Sequence, residues 1–317
     1  MRKWDQKIFE DHGLVISPSQ LVNQLACDRR WWFQRVRRMP EVPRGSQAAG
    51  TTLHSVGERF LRADDRGLDP ETGQPAELYP KGWDSEIDFA KARVIREMVD
   101  FAIETGFIRR LPGRKIEEQF VIEVLDGVAM IGAIDVLWDG GVEDHKSTSD
   151  LKWALTEKQL ASDPKMLCYA HEYVLRHEGL ASDARITLRL NYFGIGKKRV
   201  LKPVAVDVTV ADVEKFWNET VVPAAQAMQA LKEQTLLDEE WRKVPGPRRV
   251  DACGDYGGCP FAGICSFAET PEKYRRRVEK FVTKKREQEK QEPMGVFDKI
   301  RKQETPAAQS ATAVAEI

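Results

Sequence analysis

The stretch EQFVIEVLDGVAMIGAIDVLWDGGVEDHKS, residues 118–147, decides the fold. Asp126-Gly127 stands between apolar, β-branched or aromatic runs, and Asp139-Gly140 stands in a similar setting. Asp-Gly between such runs is the strongest short-range signal for a β-hairpin. The stretch therefore predicts a meander of three antiparallel strands joined by two two-residue turns.

The two turns also predict which residues face each other, because the numbers of facing residues in a two-residue hairpin add to a constant. The first turn places Glu118 opposite Asp135, and the second places Asp135 opposite Asp144. Side chains alternate along a strand, so Lys146 shares the face of Asp144. The sequence thus predicts one cluster of three acids and one lysine, which a three-residue loop at the second turn would break.

Such a cluster needs a positive charge beyond that of Lys146. Carboxylates at facing positions repel one another, and their unpaired burial is costly. A divalent metal ion would balance them, and all-oxygen ligands favour Mg²⁺ or Mn²⁺ over zinc. The alternative is a patch of ordinary surface charges, but the apolar neighbours Ile134 and Val136 predict a buried strand.

The motifs GAID at residues 132–135 and EDHKST at residues 143–148 resemble the GxxD and DxK core of the PD-(D/E)XK nuclease superfamily, in its RecB-like branch. The resemblance implies that Asp135 and Asp144 hold the metal. It also implies that Lys146 is the catalytic lysine, which positions the attacking water and offsets charge at the phosphate. Glu118 joins the predicted catalytic residues through its register.

Two helical segments extend the resemblance. GTTLHSVGERF, residues 50–60, is similar to the RecB-like motif in which a helical histidine approaches the metal, which implies His54 as a ligand. KMLCY, residues 165–169, resembles the family's QxxxY motif, in which the tyrosine contacts DNA or frames the site, and this implies a role for Tyr169. Lys165 stands where the family has glutamine, and a lysine can contact a phosphate but does not read a base edge as glutamine does.

The cysteines predict a second metal site. Cys253, Cys259 and Cys265 lie in a glycine-rich segment, and Cys27 is the candidate fourth ligand, which would join the two ends of the fold. Spacing alone fits both Zn²⁺ and an iron-sulfur cluster. One early and three late cysteines resemble the iron-sulfur staple of the AddB nuclease domain and the CRISPR-adaptation nucleases, which implies a 4Fe-4S cluster.

Composition sets limits on these predictions. The chain has 317 residues, of which 31% are charged and 42% hydrophobic, with a formal net charge of -1, so binding to a polyanion has to depend on local basic patches. No apolar run of about 18 residues and no N-terminal signal occurs, which favours a cytoplasmic protein without membrane contact. Five cysteines in such a chain favour metal ligation over disulfides.

The chain divides into three predicted parts. Residues 1–16 are expected to be a leader, and residues 17–270 one α/β domain with a restriction-endonuclease-like core, a mixed central sheet flanked by helices. Residues 271–317 are expected to form a basic helix, which contacts DNA or is merely solvated, and a disordered tail. In DRRWWFQRVRRMP, residues 28–40, the aromatic side chains either stack on bases or belong to the core.

These features together predict a metal-dependent DNA nuclease, expected to be an exonuclease acting on DNA ends or single strands in repair, recombination, or phage or CRISPR DNA processing. A non-catalytic DNA-binding subunit that retains the fold is the alternative, and a zinc-stapled scaffold protein is a third. No P-loop pattern occurs, so any ATPase or helicase activity would have to come from a helicase or recombinase partner.

Overall fold

The computed structural model describes residues 4–41, 46–85, 87, 89–110, 113–148, 150–195, 200–233, 253, 259–266 and 268–291. Its centre is a six-stranded sheet. The strands are β1 Leu14–Ile16, β2 Lys115–Leu125, β3 Val128–Trp138, β4 Gly141–Thr148, β5 Arg185–Gly194 and β6 Val200–Thr209. The main path runs β1-β3-β4-β5-β6, with β2 paired to β3. Two strand pairs are parallel, β1 with β3 and β4 with β5, and the other pairs are antiparallel. The predicted mixed sheet is thus confirmed.

Helices flank this sheet, as predicted. They are α1 Gln6–Asp11, α2 Pro18–Ala26, α3 Asp28–Arg35, α4 Ser46–Arg62, α5 Phe89–Glu104, α6 Glu157–Leu160, α7 Pro164–Arg176, α8 Val210–Phe216, α9 Val222–Glu233, α10 Ala262–Cys265 and α11 Pro271–Gln291. Ser17 caps α2 by accepting a hydrogen bond from the Gln20 amide at 3.3 Å. A helical segment of π type, Trp217–Val221, joins α8 to α9. Within the described ranges, no helix combines the length and the apolar character that crossing a membrane requires.

The sheet separates two hydrophobic clusters. Tyr192 and Phe193 are neighbours on β5 and therefore point to opposite faces. Tyr192 belongs to a large cluster with residues of α2, α7, α8 and α9, whereas Phe193 belongs to a smaller cluster with residues of α4 and α5. The helices thus form one layer on each side of the sheet, as expected for a layered α/β domain.

The central meander forms as predicted, but only one of its two registers is correct. Leu137 pairs with Val142, as the second turn requires. In the first hairpin, an irregularity between Glu123 and Leu125 adds one residue to β2. Glu118 consequently pairs with Ile134, so the predicted pairing of Glu118 with Asp135 is wrong by one residue.

The sheet forks beside β3. β2 pairs along nearly the whole of β3, so β1 and β4 must both lie along the other edge. β1 pairs with residues 128–130 and β4 with residues 136–138, which leaves residues 131–135 of that edge facing an opening. Beyond the pair Val136–Glu143, β4 leaves β3 and continues beside β5. Asp135 lies at this fork.

The two ends of the chain also differ in part from the sequence-based picture. Leu14–Ile16, expected at the end of a leader, form a strand of the central sheet. The aromatic residues Trp31, Trp32 and Phe33 are at most 2% exposed, so they belong to the core and are not a base-stacking surface. The predicted tail beyond residue 291 lies outside the described residues.

Gly141 permits close contact between β4 and β5, and we expect its replacement by alanine to destabilise the fold. A Cβ at this position would lie 2.1 Å from the Thr187 carbonyl oxygen, which belongs to the paired backbone of β5. G141A should lower the free energy of unfolding by about 1–3 kcal/mol, as overpacked sites do. Denaturant unfolding measures the change.

Gly57 in the interior of α4 is the matched control for this prediction. The nearest atom to its added Cβ would be His145 Nδ1 at 3.9 Å, an ordinary contact. G57A should therefore leave stability unchanged or raise it by up to about 1 kcal/mol, since alanine is the better helix former. A G141A protein as stable as the parent would contradict the close approach.

Candidate active site

A cavity of about 370 Å³ opens at the fork. Helix α2 supplies one wall and β3 another, with one side chain from α4 and two from α7. The lining residues are Trp4, Ser17, Pro18, Ser19, His54, Ile131, Gly132, Ala133, Asp135, Lys165 and Tyr169. The cavity therefore joins side chains from both helical layers at one edge of β3.

Three potential metal ligands meet beside this cavity. One ligand atom each of His54, Glu117 and Asp135 lies within 4.8 Å of the others, which makes this the one such group of three among the described residues. His54 Nδ1 is 3.2 Å from Asp135 Oδ2. Two ligands of an octahedral ion bound at about 2.1 Å lie roughly 3.0–4.2 Å apart, so the distance between His54 and Asp135 fits two ligands of one divalent ion.

Asp135 is nearly buried, with 9% of its surface exposed, and it is stabilised as a carboxylate. The His145 backbone amide donates to Asp135 Oδ2 at 2.9 Å, which is possible because β4 has left the ladder at this point. Burial raises the pKa of Asp135, but the contact with His54 and the charge of Lys165 outweigh it, so the pKa lies well below its usual value.

Glu117 takes the place that the sequence assigned to Glu118. It lies between the paired residues Ile116 and Glu118 of β2, at the strand position across from Asp135. Its φ of 54° is a left-handed backbone conformation that is rare for residues other than glycine. Glu118 lies instead near α7, where it forms an ion pair with Arg176. Since the two glutamates are adjacent, an insertion of one residue was enough to exchange them.

Asp144 and Lys146 form the second half of the site. Asp144 is completely buried, and its two oxygens contact two lysines: Oδ2 pairs with Lys146, and Oδ1 with Lys165 Nζ at 2.7 Å. Burial raises the pKa of Asp144, but the charges of Lys146 and Lys165 lower it by more. The pKa of Asp144 therefore lies below its usual value. Asp144 is not a member of the three-ligand group, although it is near enough for the charge of Asp135 to oppose its ionisation.

The pKa values of the two lysines are shifted in opposite directions. Burial lowers the pKa of Lys146, and the neighbouring charge of Lys165 lowers it as well, against the effect of Asp144. The pKa of Lys165 is well above its usual value because the charge of Asp144 outweighs the effect of burial. Lys146 retains 38% exposure of its side chain. It is therefore the more exposed of the two lysines.

Lys165 stands between two cavities. It lines the cavity at the fork and also a second one of about 390 Å³ that contains Asp144 and Lys146. Its Nζ lies 5.2 Å from the ring centroid of Tyr169, one turn later on α7. Tyr169 is 4% exposed and borders the first cavity. The contact between Lys165 and Asp144 was not expected from the sequence, which suggested only a phosphate contact.

A buried polar network supports β4 on the side of α4. Glu143 Oε1 contacts His145 Nε2 at 2.8 Å and accepts a hydrogen bond from Asn191 at 2.7 Å. Burial lowers the pKa of His145, but the hydrogen bond and charge of Glu143 raise it more, so the net pKa is above its usual value. The network stabilises β4 at the point where the His145 amide donates its hydrogen bond to Asp135. The one signal for this network in the sequence is the unusual density of polar residues on a buried strand.

The predicted cysteine ligands lie near the contact between the two ends of the domain. Cys27 separates α2 from α3, and Cys265 ends α10; Arg29 Nη1 lies 3.8 Å from the Cys265 sulfur. Burial raises the pKa of Cys259, and the neighbouring Cys253 and Cys27 raise it too. The segments therefore come together, while residues 254–258 lie outside the described part of the chain.

An acid-rich cleft at the edge of a mixed sheet, with a lysine two residues after one acid, is typical of the restriction-endonuclease-like fold class. A family model described as the PD-(D/E)XK nuclease superfamily matches residues 15–266. The chain belongs to this superfamily, whose members use divalent metal ions. The superfamily and the fold that the sequence predicted are thus confirmed.

Two solved structures are similar to the chain. One is the protein SSO0001, with 12% identity, a TM-score of 0.34, and coverage of 82% of this chain and 92% of the other. Another is a protein of Eubacterium rectale described as a putative exonuclease, with 10% identity, a TM-score of 0.42, and coverage of 81% and 99%. No curated protein matches the chain.

The exchange of Glu118 for Glu117 predicts different metal affinities for two adjacent substitutions. E117Q removes a carboxylate from the three-ligand group and should weaken Mn²⁺ binding at least about tenfold, as lost metal-site interactions do. E118Q should leave the Mn²⁺ affinity unchanged, because Glu118 pairs with Arg176. Calorimetric titration of the two proteins compares them directly. Weaker Mn²⁺ binding by E118Q than by E117Q would contradict this placement and would support the register that the turns alone predict.

Proposed function

We propose that this protein is a metal-dependent nuclease that hydrolyses phosphodiester bonds in DNA. The observation that carries the proposal is the meeting of His54, Glu117 and Asp135 within 4.8 Å at the fork. Asp144 and Lys146 lie beside them and have the spacing of the superfamily's DxK motif. A divalent ion, Mg²⁺ or Mn²⁺, would supply the acidification of a water molecule and the stabilisation of charge on the phosphate.

The residues of this chain have separate tasks in that reaction. His54, Glu117 and Asp135 would hold the ion, and Asp144 is the proposed fourth acid of the site. Asp144 also orients the Lys146 ammonium, which is the more exposed of its two lysine partners. Lys146 would contact the phosphate and offset its growing negative charge.

Lys165 and Tyr169 would restrict how the strand enters. Both line the cavity beside Asp135, and both come from α7, which also holds Asp144 through Lys165. The Lys165 ammonium would bind a phosphate as a point charge, without discriminating among bases. The RecB-like motifs around His54 and Tyr169 favour an exonuclease acting on ends or single strands, in DNA repair, recombination, or phage or CRISPR DNA processing, in which a helicase or recombinase would be the partner.

Substitution of Lys146 or Asp144 tests the reaction. K146A and D144N should each lower cleavage of labelled DNA by about 10²–10³ or more, as the loss of one transition-state donor does. Chelation with EDTA should abolish cleavage by the parent protein, and Mn²⁺ or Mg²⁺ should restore it. K158A, at an exposed position on α6, is the matched control and should retain full activity.

Thermal unfolding of each variant must accompany the assay, because Asp144 is buried with two lysine partners and its removal leaves their charges uncompensated. K146A alters the more exposed partner and is the variant on which the conclusion depends. Undiminished cleavage by a folded K146A protein would remove the assignment. Linear and circular single strands compared in the same assay separate exonuclease from endonuclease activity.

A second candidate function is a non-catalytic DNA-binding subunit. The observation that favours it is the 2.7 Å contact between Lys165 Nζ and Asp144, because an ammonium group there competes with a cation for the same carboxylate. A parent protein that binds single- and double-stranded DNA but cleaves neither with Mn²⁺ would support this candidate. Cleavage by the parent protein that K146A abolishes excludes it.

We propose that Cys27, Cys253, Cys259 and Cys265 bind a 4Fe-4S cluster. Cys259 lies near enough to Cys27 and Cys253 for their charges to oppose its ionisation. Four thiolates can hold either a zinc ion or an iron-sulfur cluster. The resemblance of one early and three late cysteines to the iron-sulfur staple of the AddB nuclease domain favours the cluster.

Elemental analysis of anaerobically purified protein tests the cluster. The parent protein should contain iron and absorb visible light, and C27S and C265S should lose both. C168S is the control, because Cys168 is buried on α7 and is not a predicted ligand, so it should retain the iron. Protein that contains zinc and no iron would overturn the proposal.

A further inference from the structure

Trp153 is an unusually exposed aromatic side chain close to the candidate active site. It is 62% exposed, more than any other large hydrophobic residue of the described ranges. It ends the short 3-10 helix Leu151–Trp153, which follows β4 and therefore comes seven residues after Lys146. Single exposed apolar side chains are common on protein surfaces, so exposure alone assigns no role. Its place in a cavity of the site and the hydrogen bonds of its turn are further observations.

The turn that carries Trp153 is fixed at both ends. On one side, the Asp150 side chain accepts from the Lys152 amide at 3.0 Å, and the Thr148 hydroxyl donates to the Asp150 carbonyl at 2.9 Å. On the other side, the Leu155 amide donates to the Tyr192 hydroxyl at 3.1 Å. Tyr192 is the β5 partner of Lys146. The backbone that carries Trp153 is therefore held at a defined place relative to the lysine of the site.

Trp153 lines the same 390 Å³ cavity as Asp144, Lys146 and Lys165. Across this cavity, α2 contributes Val22, another exposed apolar side chain at 37% exposure. Two lysines thus share one cavity with exposed apolar side chains, and this combination fits a nucleotide, which has an anionic phosphate and a flat apolar base. Lys152 Nζ lies 5.1 Å from the indole centroid and adds positive charge near the ring.

We propose that Trp153 stacks on a nucleobase of single-stranded DNA next to the phosphate bound at Lys146, an inference that rests on the proposed nuclease function. Bases within a duplex have both faces covered by their neighbours, whereas every base of a single strand offers a free face to an aromatic ring. Trp153 thereby selects single-stranded segments without reading their sequence.

Binding measured without cleavage tests this role. The full chain is titrated with fluorescently labelled single-stranded oligonucleotides in EDTA, and anisotropy reports the affinity. W153A should weaken binding by about 5- to 150-fold, the range expected for one lost stacking contact. W153F should retain most of the affinity. F101A removes an exposed aromatic ring from α5, which is 38% exposed, and should bind as the parent does.

Abasic oligonucleotides show whether the contact is stacking. Removal of the base that meets Trp153, found by moving one abasic position along the strand, should weaken binding by the parent protein. The same removal should not weaken binding by W153A further, because the two changes abolish one interaction. Blunt duplexes should bind W153A and the parent protein alike.

The remaining outcomes overturn the proposal in distinguishable ways. Stacking on single strands would be refuted if W153A bound single strands as tightly as the parent protein does. It would also be refuted if every abasic position weakened binding by the parent protein equally, or if W153A lost as much affinity for blunt duplexes as for single strands. If the parent protein cleaves DNA while W153A binds normally, the nuclease function stands and only the role of Trp153 falls. If the parent protein neither binds nor cleaves any DNA, both fall.

Discussion

The separation of β4 from β3 after Val136 and Glu143 is the constraint on which the site depends. Within a continuous ladder, the His145 amide would be occupied by backbone pairing. Because the strands diverge, this amide donates to Asp135 instead, and the carboxylate gains a partner in a nearly buried place. Burial of an unpaired carboxylate would be expensive. The fork thus creates the cavity and also stabilises the acid that lines it.

The charges around the fork are balanced only in part. The acids are Glu117, Asp135 and Asp144, and the lysines are Lys146 and Lys165. Three carboxylates against two ammonium groups leave an excess of one negative charge when His54 is neutral. A divalent cation would reverse the sign of this charge, and a bound phosphodiester would then restore neutrality. Cation binding would therefore raise the affinity of the site for DNA phosphate.

The sequence predicted the fold because its strongest signals were local. Asp139-Gly140 sets a two-residue turn, and the register of the second hairpin follows from it. The irregularity between Glu123 and Leu125 has no comparable signal, since one inserted residue on an apolar strand leaves the composition unchanged. The contact of Lys165 with Asp144 could not be predicted either, because it depends on how closely α7 approaches β4. Patterns define elements, whereas side-chain partners depend on the packing of those elements.

The contact between the two ends of the domain bears on the site through α2. Phe33 of α3 packs on Phe261 with ring centroids 5.6 Å apart, and the Tyr274 hydroxyl of α11 donates to the Pro40 carbonyl at 2.8 Å. Only Cys27 separates α3 from α2, whose residues line both cavities. Whatever holds the C-terminal helices against α3 therefore also holds one wall of the site. A ligand bound at Cys27 would restrain α2 at the end opposite Ser17, and would thereby stabilise the position of the α2 residues that line the two cavities.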